Sequence, residues 1–213
     1  YEILKEKIFV LDGAMGTNIQ MLNLSPDDFG GKDGCNEYLV ITKPDAIRKI
    51  HASFFEVGCD AVETNSFGSS QIVLGEYGIA HLTRELNEKA AQLAREVADS
   101  FSSPSRPRFV FGSVGPGTKL PSLGHIEFDS RHDIYQEQIE GLIAGGVDAI
   151  LIETCQDLLQ AKCAAIAAQS SFAKLKKTLP LIVQVTFEAT GTMLLGTEMG
   201  AAIASLEMLP IDI

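Results

Sequence analysis

The stretch GVDAILIETCQD, residues 146–157, places charge at both ends of an oily run. Ala149, Ile150, Leu151 and Ile152 form a short apolar segment bounded by turn residues, the pattern of a strand buried on both faces of a parallel sheet. Glu153 follows where such a strand leaves the core. Working outward, GCDAVETNSFG at 58–68 repeats the plan, with a Gly-x-Asp-Ala opening and an exit at Glu63 and Thr64. Ile8 to Leu11 is an earlier strand of this kind, ending in Asp12 and running into Gly13, Ala14, Met15, Gly16 and Thr17. Acids at several strand exits, each followed by a polar or Gly-rich loop, predict one mouth lined by carboxylates.

Helical patterns separate these segments. Thr42 to Asp45 supplies a helix start with a capping hydroxyl, an early proline and an acid, and Ile47, Ile50, Phe54 and Phe55 then recur at helical spacing up to Gly58. Leu82, Leu86, Leu93, Val97 and Phe101 mark a long amphipathic helix before a third strand at Phe109 to Phe111. Ile134, Ile139, Leu142 and Ile143 mark the next helix, ended by Gly145 and Gly146, and Leu158, Leu159, Cys163 and Ile166 the one after. Leu181 to Phe187 is a fifth strand, Ala201 to Leu209 a short helix, and Ile211 to Ile213 the start of a sixth strand.

Strands alternating with helices give a parallel α/β sheet. The connections entering the second and fourth strands are one or two residues, whereas those leaving the first, third and fifth are long. Elaboration therefore sits on the carboxyl side of the sheet, where α/β enzymes keep their sites. No G-x-G-x-x-G follows a strand, and Gly13 to Gly16 has the wrong spacing for a dinucleotide or Walker loop. The fold expected is a (β/α)8 TIM-type barrel, truncated after about five βα units plus the start of the sixth strand, with residues 1–213 forming part of a single domain.

With 46% apolar residues the chain can bury one sizeable core. Its 28 Asp and Glu against 17 Lys and Arg exclude a nucleic-acid partner held through phosphates. No apolar run approaches the roughly 18 residues of a membrane span, and the first residues lack a signal-peptide core, so the expectation is a cytoplasmic protein. An open barrel edge also invites self-association.

Asp12, Glu63 and Glu153 have the chemistry to grip a substrate ammonium, hold a divalent metal or exchange protons. Backbone N–H groups from Gly13 to Gly16 suit a substrate carboxylate. An acid beside an anion nest is a lock for an amino acid. A metal-dependent lyase or aldolase barrel ligated by Asp12, Glu63 and Glu153 is the competing reading, whereas no lysine ends a strand, which disfavours Schiff-base chemistry.

LDGAMGT at 11–17, CNEYLVITKPDAIRKIH at 35–51, GCDAVETNSFG at 58–68 and GGVDAILIETCQDLLQAK at 145–162 together resemble the N-terminal homocysteine-binding barrels of cobalamin-dependent methionine synthases. Betaine- and S-methylmethionine-dependent homocysteine methyltransferases share the barrel, but the Gly-Ala-Met-Gly-Thr turn and the Cys-Asn-Glu segment favour the cobalamin enzymes. The resemblance implies that Asp12 and Glu153 hold the homocysteine ammonium, that N–H groups near Gly13 and Ala14 take its carboxylate, and that Thr64, Asn65 and Thr154 are neighbours. It also implies zinc as thiol activator, methylcobalamin as methyl donor and a methyltetrahydrofolate module as partner.

In that family three cysteines hold the zinc, in segments that would fall beyond Ile213. Of the four cysteines present, Cys59 lies in a turn away from the mouth and Cys163 within a helix. Cys35 and Cys155 fall nearer the mouth, but two thiolates leave a tetrahedral zinc short of ligands, so no metal site and no activity of the isolated chain are expected. His51, His81, His125 and His132 receive no chemical role, and the loop from Pro116 to Gly124 is a cover or a surface loop.

Overall fold

The computed structural model describes residues 2–213. Its first half carries helices α1 (Glu2–Glu6), α2 (Met15–Met21), α3 (Leu39–Thr42) and α4 (Pro44–Val57), strand β1 (Ala61–Glu63), and helices α5 (Gln71–Glu76) and α6 (Thr83–Phe101). Strand β2 (Phe109–Val114), helix α7 (Phe128–Gly145), strand β3 (Ala149–Cys155), helix α8 (Leu158–Leu175), strand β4 (Leu181–Val185) and helix α9 (Met199–Leu206) follow.

The sheet runs β1-β2-β3-β4, each pair parallel and each neighbour in space also the neighbour in sequence. A doubly wound sheet would reverse direction at a switch point, so this order selects a singly wound barrel arc. Helices α4, α6, α7 and α8 pack in that same order over the outer face. Val62, Val110, Ile150, Ile152 and Leu181 turn outward into the main core beneath them, each fully buried and contributing about 1.5–3 kcal/mol. Small residues let the layers approach: α8 buries Ala161, Ala164, Ala165 and Ala168 against the sheet, and a Cβ on Gly145 of α7 would stand 2.4 Å from the Glu88 carbonyl of α6.

The inner face curls. Phe9 lies parallel to Phe111 with ring centroids 5.8 Å apart and also meets Phe109 at 5.5 Å, although β1 separates their backbones. Phe9, Leu11, Phe109, Ile182 and Ile213 line one cavity of about 480 Å³, so the first and last segments of the arc face each other across it.

Two of the expected strands are reduced. Ile8 to Leu11 runs parallel to β1 but makes one bridge, Leu11 to Ala61, with Ile8 exposed and Val10 half-exposed. Ile211 to Ile213 bonds to β4 through Val183 N–H to Ile213 O (2.9 Å) and Asp212 N–H to Leu181 O (2.9 Å) without forming a regular strand. The connections entering β1 and β3 are three residues each, 58–60 and 146–148, rather than one or two. Thr42 does not cap α4; its hydroxyl donates to Tyr38 O, and Lys43 occupies the cap position. On α8, Leu159 and Ile166 are partly exposed, and the alanines form the core stripe instead.

The repeated Gly-x-Asp opening has a structural cause. Gly58 and Gly146 end α4 and α7 in the left-handed region (φ 112° and 95°), where a Cβ is strained. Asp60 then accepts the Val10 N–H (3.0 Å) and Asp148 the Val110 N–H (2.8 Å), and Lys7 and Arg95 pair with them. Asp212 repeats the device on the Leu181 N–H at 2.8 Å. At the amino ends of the strands, acids thus satisfy backbone donors of the preceding segment. Among the described residues, no helix is long and apolar enough to cross a membrane.

Candidate active site

The carboxyl ends of the same strands carry a second set of acids with a different environment. Alternation along β3 sends Ala149, Leu151 and Glu153 inward, and the register places Leu151 beside Ser113 and Phe111 beside Glu63. Asp12, Glu63, Ser113 and Glu153 therefore converge above the Phe111 and Leu151 layer, in a cavity of about 340 Å³. Gly13, Ala14, Met15 and Gly16 form one wall of it. Thr64, Asn65, Ser66 and Phe67 form another, and Asn36 and Glu37 close the third side.

Each wall is fixed by bonds that the sequence encodes locally. Asp12 accepts the Glu63 N–H at 3.0 Å, which ties the end of the first segment to the end of β1. The Ser113 hydroxyl donates to Glu153. Thr64 and Ser66 share a 2.6 Å bond, and Ser66 donates on to Ser113 O at 2.7 Å, knitting the loop after β1 to β2. The Asn65 amide donates to Asn36 O at 2.8 Å, and Glu37 accepts the Gly68 N–H at 2.8 Å. The contact is close at Gly68, where a Cβ would stand 2.7 Å from the Glu37 carboxylate and would displace it.

These carboxyls share a dry, anionic space. Burial pushes Asp12 up to about 7, against the Glu63 N–H that favours its anion and with the Glu153 charge adding to the rise. Burial, then the charges of Glu153 and Asp12, push Glu63 up to about 8. Glu153 and Glu37 are also raised by burial, opposed by the Ser113 hydroxyl in one case and backbone N–H groups in the other. No lysine, arginine or histidine lines the cavity among the described residues. The Gly13 to Gly16 wall carries no charged side chain, and the first turn of α2, which starts at Met15, has no side-chain cap on its N–H groups.

Of the residues singled out by sequence, Asp12, Gly13, Ala14, Thr64, Asn65 and Glu153 line this one cavity. Thr154 does not line it. Its φ of 59° sits at the register shift between Ile152 and Cys155, a bulge in β3, and its side chain points to solvent. Glu63 faces inward and lines the same cavity. Ser113 was missed by ending the third strand at Phe111, though the period-two sequence Phe109, Phe111, Ser113 carries the signal. Glu37 appeared in the sequence only as part of a motif, with nothing to show that it faces Gly68.

No group of three or more His, Cys, Asp or Glu among the described residues is arranged to hold a metal ion. All four cysteines are buried free thiols, and none lines the cavity. Cys35 packs with Val40 and Leu74, whereas Cys155 and Cys163 lie in the main core. Cys59 donates to Leu11 O at 3.3 Å. Burial pushes Cys35 up to about 11, and Cys155 and Cys163 to about 12, the reverse of what a metal thiolate needs. These residues do not fit a zinc site. His51 is buried in α4 with both ring nitrogens unpartnered, and burial holds it down at about 4. The loop from Pro116 to Gly124 is fastened away from the cavity, onto α8 through Asp157 and Gln160.

Comparison with known proteins adds three findings. The profile of the homocysteine S-methyltransferase family matches residues 9–213. The chain is 49% identical over 211 residues to the methionine synthase of Mycobacterium tuberculosis and 48% identical to that of Mycobacterium leprae, covering 99% of this chain but 18% of each of those proteins. Among solved structures, the metallated form of the homocysteine methyltransferase MmuM from Escherichia coli superposes with a TM-score of 0.76 at 18% identity, covering 98% of this chain and 74% of that one. Its apo form gives 0.73 at 20% identity, covering 97% and 70%. At such identities these two structures establish the fold.

Proposed function

The chain belongs to the homocysteine S-methyltransferase family, and from that membership we propose that its mouth binds the amino-acid end of homocysteine for methyl transfer to the sulfur. The observation that carries the reading is the pairing, inside one cavity, of buried carboxyls with an uncapped helix start. Asp12 and Glu153 face the substrate ammonium, each already oriented by a donor of its own, the Glu63 N–H and the Ser113 hydroxyl. The N–H groups of Gly13 and Ala14 and the first turn of α2 receive the carboxylate. Thr64 and Asn65 hold the wall, and the Thr154 bulge aims Glu153 by its backbone. With both charged ends of the substrate engaged, its thiol-bearing side chain is the part left to project from the grip.

Zinc and cobalamin belong to the wider proposal. The relatives named methionine synthase are more than five times the length of this chain, whose described residues hold no zinc ligand set. In the proposed whole enzyme the metal comes from other polypeptide, and methylcobalamin and methyltetrahydrofolate are carried by other modules. The chain alone is accordingly expected to bind homocysteine without methylating it. Thermal unfolding of the purified chain in millimolar L-homocysteine tests the first part. A rise in Tm that Asp12→Asn and Glu153→Gln each abolish is expected, and no rise would overturn the site. Methionine formed by the chain with zinc and methylcobalamin supplied would overturn the second part.

A further inference from the structure

Glu63 differs from the other acids at the mouth in having no donor. Asp12 holds a backbone N–H, Glu153 a hydroxyl and Glu37 the Gly68 N–H, but no hydrogen bond to the Glu63 carboxyl is made among the described residues. Every titratable group facing it is also an acid: Asp12 from the first segment, Glu153 from β3 and Glu37 from the short helix Asn36–Tyr38. From β2 it meets Phe111, its register partner, and the uncharged Ser113.

We propose that Glu63 is a third carboxyl of the ammonium grip, one that carries a proton while the site is empty and surrenders it when the substrate ammonium arrives. The proposal rests on the reading of this cavity as an amino-acid site. Its chemistry balances simply. The carboxylates of Glu153 and, in part, Asp12, each held by a donor, disfavour a further charge nearby, so the undonated Glu63 is the member that most strongly keeps its proton. An incoming ammonium reverses that field, and the Glu63 proton leaves to solvent while the carboxylate stays as a partner of the ammonium. The order of proton affinities agrees, with Glu63 raised to about 8 and Asp12 to about 7. Binding is thereby tied to pH: it strengthens as the cluster ionises and weakens again once the substrate's own amine deprotonates. An amino acid is favoured over its deaminated analogue by the whole cluster.

The test is calorimetric titration of the full chain with L-methionine, whose thioether adds no titrating group of its own. Titrations at pH 7 in two buffers of different ionisation enthalpy count the protons released. The wild type is expected to release about one to one and a half protons per amino acid bound, Glu63→Asp to retain most of that release and Glu63→Gln to fall to the roughly half proton or less that Asp12 supplies. Between pH 6 and 8.5 the affinity deficit of Glu63→Gln should grow from about twofold to roughly fiftyfold, because release of one proton near pH 7 changes affinity about tenfold per pH unit and at low pH the wild-type side chain is also neutral. Binding by the wild type without proton release would overturn the inference whether or not any variant folds. A deficit of constant size across that pH range would overturn it as well, since it marks a structural role. Absence of binding by both L-methionine and L-homocysteine would instead overturn the proposed function on which it rests.

Discussion

Replacing Glu63 by Gln should make the protein more stable at alkaline pH and leave it unchanged at acid pH. The folded chain moves this carboxyl from its ordinary 4.5 to about 8. Below 4.5 the side chain is protonated in both folded and unfolded states, and the favourable contribution of that neutral form is fully present. As pH rises through the interval the unfolded chain ionises freely while the folded chain resists, so stability is lost until the folded carboxyl also ionises near 8. At ~1.4 kcal/mol per pH unit the interval sets a ceiling of roughly 5 kcal/mol. The side chain is only partly buried, and its shift includes repulsion by Glu153 and Asp12, which the neighbours relieve by taking protons themselves. About 1–3 kcal/mol of destabilisation at pH 8.5 is therefore expected from this group. Glutamine has the shape of the protonated acid and no charge, so reversible urea unfolding should show the variant more stable than wild type by that amount at pH 8.5. At pH 5 the two should agree to within about 0.5 kcal/mol. The corresponding rise in Tm at pH 8.5 is roughly 2–10 °C. A variant that is less stable at pH 8.5, or equally displaced at both pH values, would show that Glu63 is held by favourable contacts rather than tolerated against repulsion.

Two further predictions concern the frame. Gly145→Ala should cost about 2–4 kcal/mol in urea unfolding although alanine is the better helix former by about 1 kcal/mol, because its Cβ would lie 2.4 Å from Glu88 O and 2.5 Å from the Ala91 Cβ. Gly200→Ala in α9, where nothing lies within 4 Å of the new Cβ, should stabilise by up to about 1 kcal/mol, and equal effects at the two glycines would contradict the packing argument. Asp157→Ala should cost about 2–4 kcal/mol, since the buried carboxylate accepts the Ser122 N–H (3.0 Å), the Ser122 hydroxyl (2.6 Å) and the Leu159 N–H that starts α8 (2.9 Å). Faster amide exchange at Ser122 should accompany that loss, and unchanged exchange there would show that the loop from Pro116 to Gly124 does not depend on α8.

The parts of this structure that were legible in the sequence are those decided by a period. The apolar run Ala149 to Ile152 and the heptad-like spacing of Leu86, Leu93 and Val97 match the elements observed because each signal lies within a few residues. What stayed hidden depends on a second segment. Gly145 and Gly146 read alike as a helix stop, yet only Gly146 takes a left-handed φ, while Gly145 exists for a helix that begins about sixty residues earlier. Ile8 to Leu11 reads as strongly as any strand, but its pairing depends on a distant segment: the Val10 N–H goes to the Asp60 carboxylate, and one bridge, Leu11 to Ala61, remains.

The acids make the same point with chemical consequences. Asp60, Asp148 and Asp212 are as conspicuous along the chain as Asp12, Glu63 and Glu153. Position along a parallel strand separates them. An acid at the amino end meets the unpaired N–H of the preceding strand, and at Asp60 and Asp148 also a cation, so its hydrogen-bonding needs are met within the fold. An acid at the carboxyl end meets other carboxyl ends, with few donors and no cation, and is held in a state it would not choose in water. The first set closes its own account within the fold. The second is left with charge repulsion that a cation can relieve, which is the physical basis on which the proposed ammonium partner suits this end of the sheet.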